Sequence, residues 1–287
     1  MTVSDDAIMA KAQAVQKKAL EQIMKEMTAD AISPIPSDMS KYKSMLDLSW
    51  ISNSFAWFTE RDPGDFATMA ESARQLKKDL DGGMVGMMNG VRSDLGDWQG
   101  NASAKFGEFL LDPFPDVHRN QLAMADELIL ASDGMRQMLE DSRDVIVDVG
   151  DKTVAALAAL DKGGDIFSVL LKAGVAALVA VVGGLATGAT GGLGALALVN
   201  FAGSAASSGI DQANIGGETV SDVLSKMNQT IAAAQENMTE AENAIRDALE
   251  QDVSTMTQSA DHFKTKRPGV ADDVDLGKFR PPEHVYS

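Results

Sequence analysis

For catalysis this 287-residue chain offers three histidines, no cysteine and no recognisable nucleophile. His262 and His284 fall near or in the C-terminal stretch. His118 follows Pro113 and Pro115 with no second histidine at zinc-ligand spacing, which predicts a surface-loop position for it. The patterns G-x-S-x-G, H-E-x-x-H and G-x-x-x-x-G-K-[ST] are absent, and the GGLG at 191–194 sits in apolar surroundings that would serve a phosphate poorly. The expectation is a non-enzyme with no catalytic, cofactor-binding or metal-binding residue, no cofactor and no small-molecule substrate. A formal net charge of −17 repels polyphosphate, so nucleic acid is not an expected partner. Without cysteine there are no disulfides, which leaves the compartment open.

The chemistry that remains is that of contact. From Ala173 to Ile210 the chain runs 38 residues without a charge, rich in Ala and Gly. Within it Gly184, Gly188 and Gly192 form a G-x-x-x-G-x-x-x-G row, a spacing that lets helices meet backbone to backbone in lipid and serves equally as a close core contact in water. Together with Val179, Leu185, Leu193, Leu196 and Phe201 these glycines are the expected membrane or subunit contact. The run is long enough for one span of about 20 residues, or for two short helices turning near Thr187 to Gly192. Ala and Gly dominate over Leu, and Asn200 interrupts the second half, which argues against a permanent anchor. A segment sheltered in the fold but able to insert, and a purely structural core, both stay open.

Proline marks the elements that must position this run. It occurs at Pro34 and Pro36, Pro63, Pro113 and Pro115, and Pro268, Pro281 and Pro282, so everything between Pro115 and Pro268 is free to be helical. Ile8, Ala12, Val15, Ala19, Ile23 and Met27 share one face of a first helix, residues 4–29. Short helices over 41–60 carry Trp50, Phe55, Trp57 and Phe58 as a cap on the bundle. A third helix, 65–95, is predicted to turn Phe66, Met69, Ala73, Leu76 and Leu80 inward and to loosen at Gly82 and Gly83. Two seams with alternating steps of three and four follow. One runs Ala125, Leu128, Ser132, Met135, Leu139, Ser142, Ile146, Val149, Thr153, Ala156, Leu160; the other runs Val220, Leu224, Met227, Ile231, Ala234, Met238, Ala241, Ile245, Ala248. Two helices of roughly 40 residues, each about 60 Å long, pair most simply as an antiparallel hairpin. The expected class is all-α: an elongated helical bundle with long antiparallel coiled-coil-like helices and an apolar Ala/Gly-rich hairpin. Its divisions are N-terminal capping helices over 1–62, the bundle over 63–263 with the apolar hairpin at 166–210, and a poorly ordered tail over 264–287.

Trp98, Gln99 and Gly100 stand at a predicted helix-to-helix junction, with Phe106 on the helix that follows. Gly100 permits the reversal, Asn101 caps the new helix and Trp98 covers the turn. This pattern resembles the WXG family of helical-hairpin proteins exported by type VII (ESX) secretion systems, over about 65–160. The whole layout is similar to the longer Esp-type substrates, in which such a hairpin leads into an Ala/Gly-rich region. The resemblance implies a secreted, non-enzymatic protein, associated with the cell surface or membrane, that partners a helical protein or its own copies. The polar N-terminus, without a signal-peptide pattern, fits export by another route. The family's Tyr-x-x-x-Asp/Glu export signal has no counterpart, because Tyr42 is five residues from Asp47 and Tyr286 is penultimate. A co-secreted partner would then supply it. Architecture alone is also similar to helical pore-forming toxins of the cytolysin A type, which store an apolar tongue against a long bundle.

Overall fold

Ser4 starts the first helix: its hydroxyl accepts the backbone N–H of Ala7 at 3.2 Å, and Asp5 and Asp6 set negative charge against the free amides of the first turn. In the computed structural model, which describes residues 3–32, 45–96, 101–160, 169–170, 214–215, 217 and 219–265, helix α1 spans Asp5–Ile32. Ile8, Ala12, Val15, Ala19 and Ile23 are fully buried, as their spacing predicts. Burying an aliphatic side chain the size of Ile contributes about 1.5–3 kcal/mol, so this one face accounts for the docking of α1.

Asp47 opens α2 (Ser49–Ala56) by accepting the Ser49 N–H at 3.1 Å and its hydroxyl at 2.7 Å. Those two bonds hold the Asp47 carboxyl below its ordinary pKa. Ile51 and Phe55 on α2, and Phe58 on the 3-10 turn Trp57–Thr59, are buried among the residues of α1. The Gln16 amide fixes the two helices by donating to Leu48 O and Ser52 Oγ, both at 2.8 Å.

Pro63 takes the first position of α3 (Pro63–Asp81), where its missing N–H is not needed, and Asp62 accepts the Gly64 N–H at 2.8 Å. Gly83, at φ 90°, turns the chain into α4 (Met84–Asp94). Then come α5 (Asn101–Phe106), a π turn (Gly107–Leu111), the 46-residue α6 (Phe114–Ala159) and the 39-residue α7 (Val220–Gln258), which ends in a 3-10 turn at Ala260–His262. Thr219 and Asp222 cap α7 reciprocally, each side chain accepting the other's N–H at 3.2 Å, and Glu26 of α1 accepts the Val220 N–H. Strands β1 (Val169–Leu170) and β2 (Asn214–Ile215) pair antiparallel, Val169 with Ile215 and Leu170 with Asn214. Every other regular element among the described residues is helical, and the chain is an all-α helical bundle.

The described residues fall into two compact units. The first holds 3–70, 130–160 and 219–247 with the strand pair; the second holds 71–129 and 248–265. The core of the first is built from α1, α2, α6 and α7 around Phe55, Phe58, Met138, Ile146, Leu157 and Met227. Gly150 of α6 makes the closest approach there: a Cβ would lie 3.0 Å from Lys11 Cβ and 3.3 Å from Phe55 Cε1. In the second unit Asn120 donates to His262 O and Gln121 to Phe263 O, while Glu127 meets Asp252, so α6 and α7 run antiparallel.

Several sequence expectations need correction. Met69 and Leu76 of α3 are about half exposed, because Ala70 and Ala73 form its buried stripe. Leu128 is 38% exposed, and its neighbour Glu127 turns inward in its place. His118 is not a loop residue: it lies within α6, buried, with Nε2 2.9 Å from Leu80 O and its ring stacked on Phe114 at 5.8 Å. The third helix does not loosen at Gly82 and Gly83 but breaks there into α3 and α4. The stretch after Pro115 holds the strand pair as well as helix. The remaining seam positions of α6 and α7 are buried or half-buried.

Candidate association site

The W-x-G tripeptide occupies the connection between two helices. Trp98 and Gly100 themselves lie outside the described residues, but α4 closes at Asp94 and α5 opens at Asn101. After residues 97–100 the chain comes back along α4, which packs against the π turn, and the Arg92 guanidinium pairs with Asp112 at 2.8 Å. The two stretches therefore pack side by side, with Phe106 half-buried at the end of α5.

Proline explains the shape of the returning arm. Pro113 and Pro115 have no N–H to give to carbonyls four residues back, and the ladder widens instead, with Asp112 donating to Gly107 O at 2.9 Å across five residues. Regular α-helix resumes with Val117 donating to Pro113 O at 3.0 Å. Around Asp112–Pro115 a π turn is thus followed by a fresh helix start.

Val179, Gly184, Leu185, Gly188, Gly192, Leu193, Leu196 and Phe201 all lie outside the described residues. What the structure places is the boundary of their segment. The antiparallel pairing of Leu170 with Asn214 sets the chain entering 171–213 beside the chain leaving it.

Helix α4 is a surface that sequence reasoning missed. None of its residues is buried; Met87 is 62% exposed, Val85 and Val91 are also exposed, and a Cβ added at Gly86 or Gly90 would meet open space. The signal was in the sequence, since Gly82 to Val91 carries no charge, yet a methionine-rich stretch at helical spacing reads as core. A second surface feature is an open groove of about 260 Å³ lined by Met45, Leu48, Trp50 and Leu224, with Asp47 and Asn228 among its polar residues. Among the described residues no three potential metal ligands converge, and no described helix is long and apolar enough to cross a membrane. The class defined so far is an all-α helical bundle. No family model, no curated protein and no solved structure matches the chain.

Proposed function

We propose that this chain is a non-enzymatic type VII (ESX) secretion substrate or secretion-associated protein that associates through its helices and meets a membrane or a second subunit through the uncharged segment 173–210. The observation that carries the reading is the β1–β2 pair, which holds Leu170 beside Asn214 at the two ends of the stretch that contains this uncharged segment. The place of the W-x-G tripeptide between α4 and α5, where Arg92 pairs with Asp112, supports the secretion half of the proposal. Exposed apolar residues on α4 add a face suited to a helical partner.

Export is tested by expressing the chain in a host with a working type VII system and in one whose secretion ATPase is inactive. The reading expects the protein in the medium only from the first host, and less of it for Trp98→Ala. Equal release from both hosts would refute the secretion assignment. The paired strand ends equally favour a pore-forming tongue. Dye release from liposomes by the purified chain alone, with no secretion component present, would select that second reading.

A further inference from the structure

Glu127 on α6 and Asp252 on α7 are both 3% exposed, and both belong to the second unit. Both carboxylate oxygens of Glu127 and Oδ2 of Asp252 are shut off from solvent with no donor among the described residues. The two carboxyls lie within hydrogen-bonding reach of one another. If both were ionised, like charges would face each other where water cannot screen them. A carboxylic acid O–H on one, donating to an oxygen of the other, turns that repulsion into a bond.

The surrounding charges do not offer another solution. On α3, Lys77 pairs with Asp126 at 2.6 Å and Arg74 with Glu71 at 3.8 Å; on α6, Arg119 pairs with Asp116 at 3.1 Å and His118 is bonded to Leu80 O. On α4, Arg92 pairs with Asp112. Glu250 precedes the pair on α7, while Asp261 and His262 follow it on the 3-10 turn. None of these groups shifts Glu127 or Asp252; each carboxyl answers to its own burial and then to the other.

We propose that Glu127 and Asp252 share a single proton, and that this proton is a pH-sensitive clasp between α6 and α7. Burial first, and then Asp252, push the Glu127 carboxyl up from 4.5 to about 8. The sign follows: as pH rises the unfolded chain releases this proton near 4.5 while the folded chain holds it to about 8. The stability contributed by the clasp is complete below 4.5 and has drained away by about pH 8. This inference is independent of the secretion reading.

The test is the thermal midpoint of the full chain at a series of pH values from about 5 to about 9. The wild type is expected to lose several degrees across the series. Glu127→Gln keeps the shape, donates to Asp252 from its amide and cannot ionise, so its profile should be flatter than the wild type's; Asp252→Asn is the second variant in case the first folds poorly. A carbon-13 titration of the Glu127 carboxyl should show its transition well above the usual carboxylate range. Identical profiles for wild type and both variants, or a Glu127 transition near 4.5, would overturn the proposal. So would a rise in the wild-type midpoint on adding calcium or magnesium that the variants lack, since the pair would then be a cation site.

Discussion

Arg143 holds a full positive charge on a side chain that is 6% exposed. It pairs with Asp5 at 2.7 Å and donates to the backbone oxygens of Val3 at 3.2 Å and Arg61 at 2.8 Å. One α6 side chain thus gathers the start of α1 and the chain after the 3-10 turn, while Arg61 itself stacks over Trp57 at 4.5 Å and reaches Glu242 of α7 at 2.8 Å. Asp5 is more than half exposed, so its loss is mostly made good by water, whereas removing Arg143 strands two carbonyls. Arg143→Ala should lower stability by about 2–4 kcal/mol and Asp5→Asn by about 0–1 kcal/mol, read from urea unfolding midpoints. Similar losses in the two variants would mean that the ion pair, and not the backbone bonds, is what Arg143 supplies.

At the scale of elements, the long helices were legible because their apolar residues keep one period. Val220, Met227, Ile231 and Met238 on α7, and Leu139, Ile146 and Val149 on α6, are buried where the seams place them. Leu128 breaks the pattern for a reason no periodicity contains: the neighbour that faces inward is an acid whose partner, Asp252, lies on a helix distant in sequence. The burial of His118 was hidden in the same way, since it depends on a carbonyl at the end of α3. On α3 small Ala70 and Ala73 make the contact and leave the larger Met69 and Leu76 outside, the reverse of what residue size suggests. Leu139→Ala should cost about 2–5 kcal/mol and Leu128→Ala under about 1 kcal/mol. Equal costs in denaturant titrations would place Leu128 back in the seam.

At the scale of the whole molecule the helices form the bundle, and the uncharged segment 173–210 is the proposed contact. The segment's composition was plain in the sequence, but its fixed base was not, because two-residue strands leave no alternating pattern to read. The glycine row can be tested within the segment. Gly188→Leu should reduce liposome binding or assembly while leaving helix content unchanged, as read by flotation, light scattering and circular dichroism. Normal binding together with normal assembly would remove the row from the contact. The most direct measurement of the central claim is flotation of the full chain with liposomes, with its assembly size measured in parallel, beside a variant in which 171–213 is replaced by an Asn-Gly turn joining Leu170 to Asn214. The account predicts that the full chain floats or assembles, and that the shortened chain does neither while keeping its thermal midpoint within a few degrees. A full chain that stays monomeric and free of lipid, or a shortened chain that unfolds, would contradict it and make the segment part of the core.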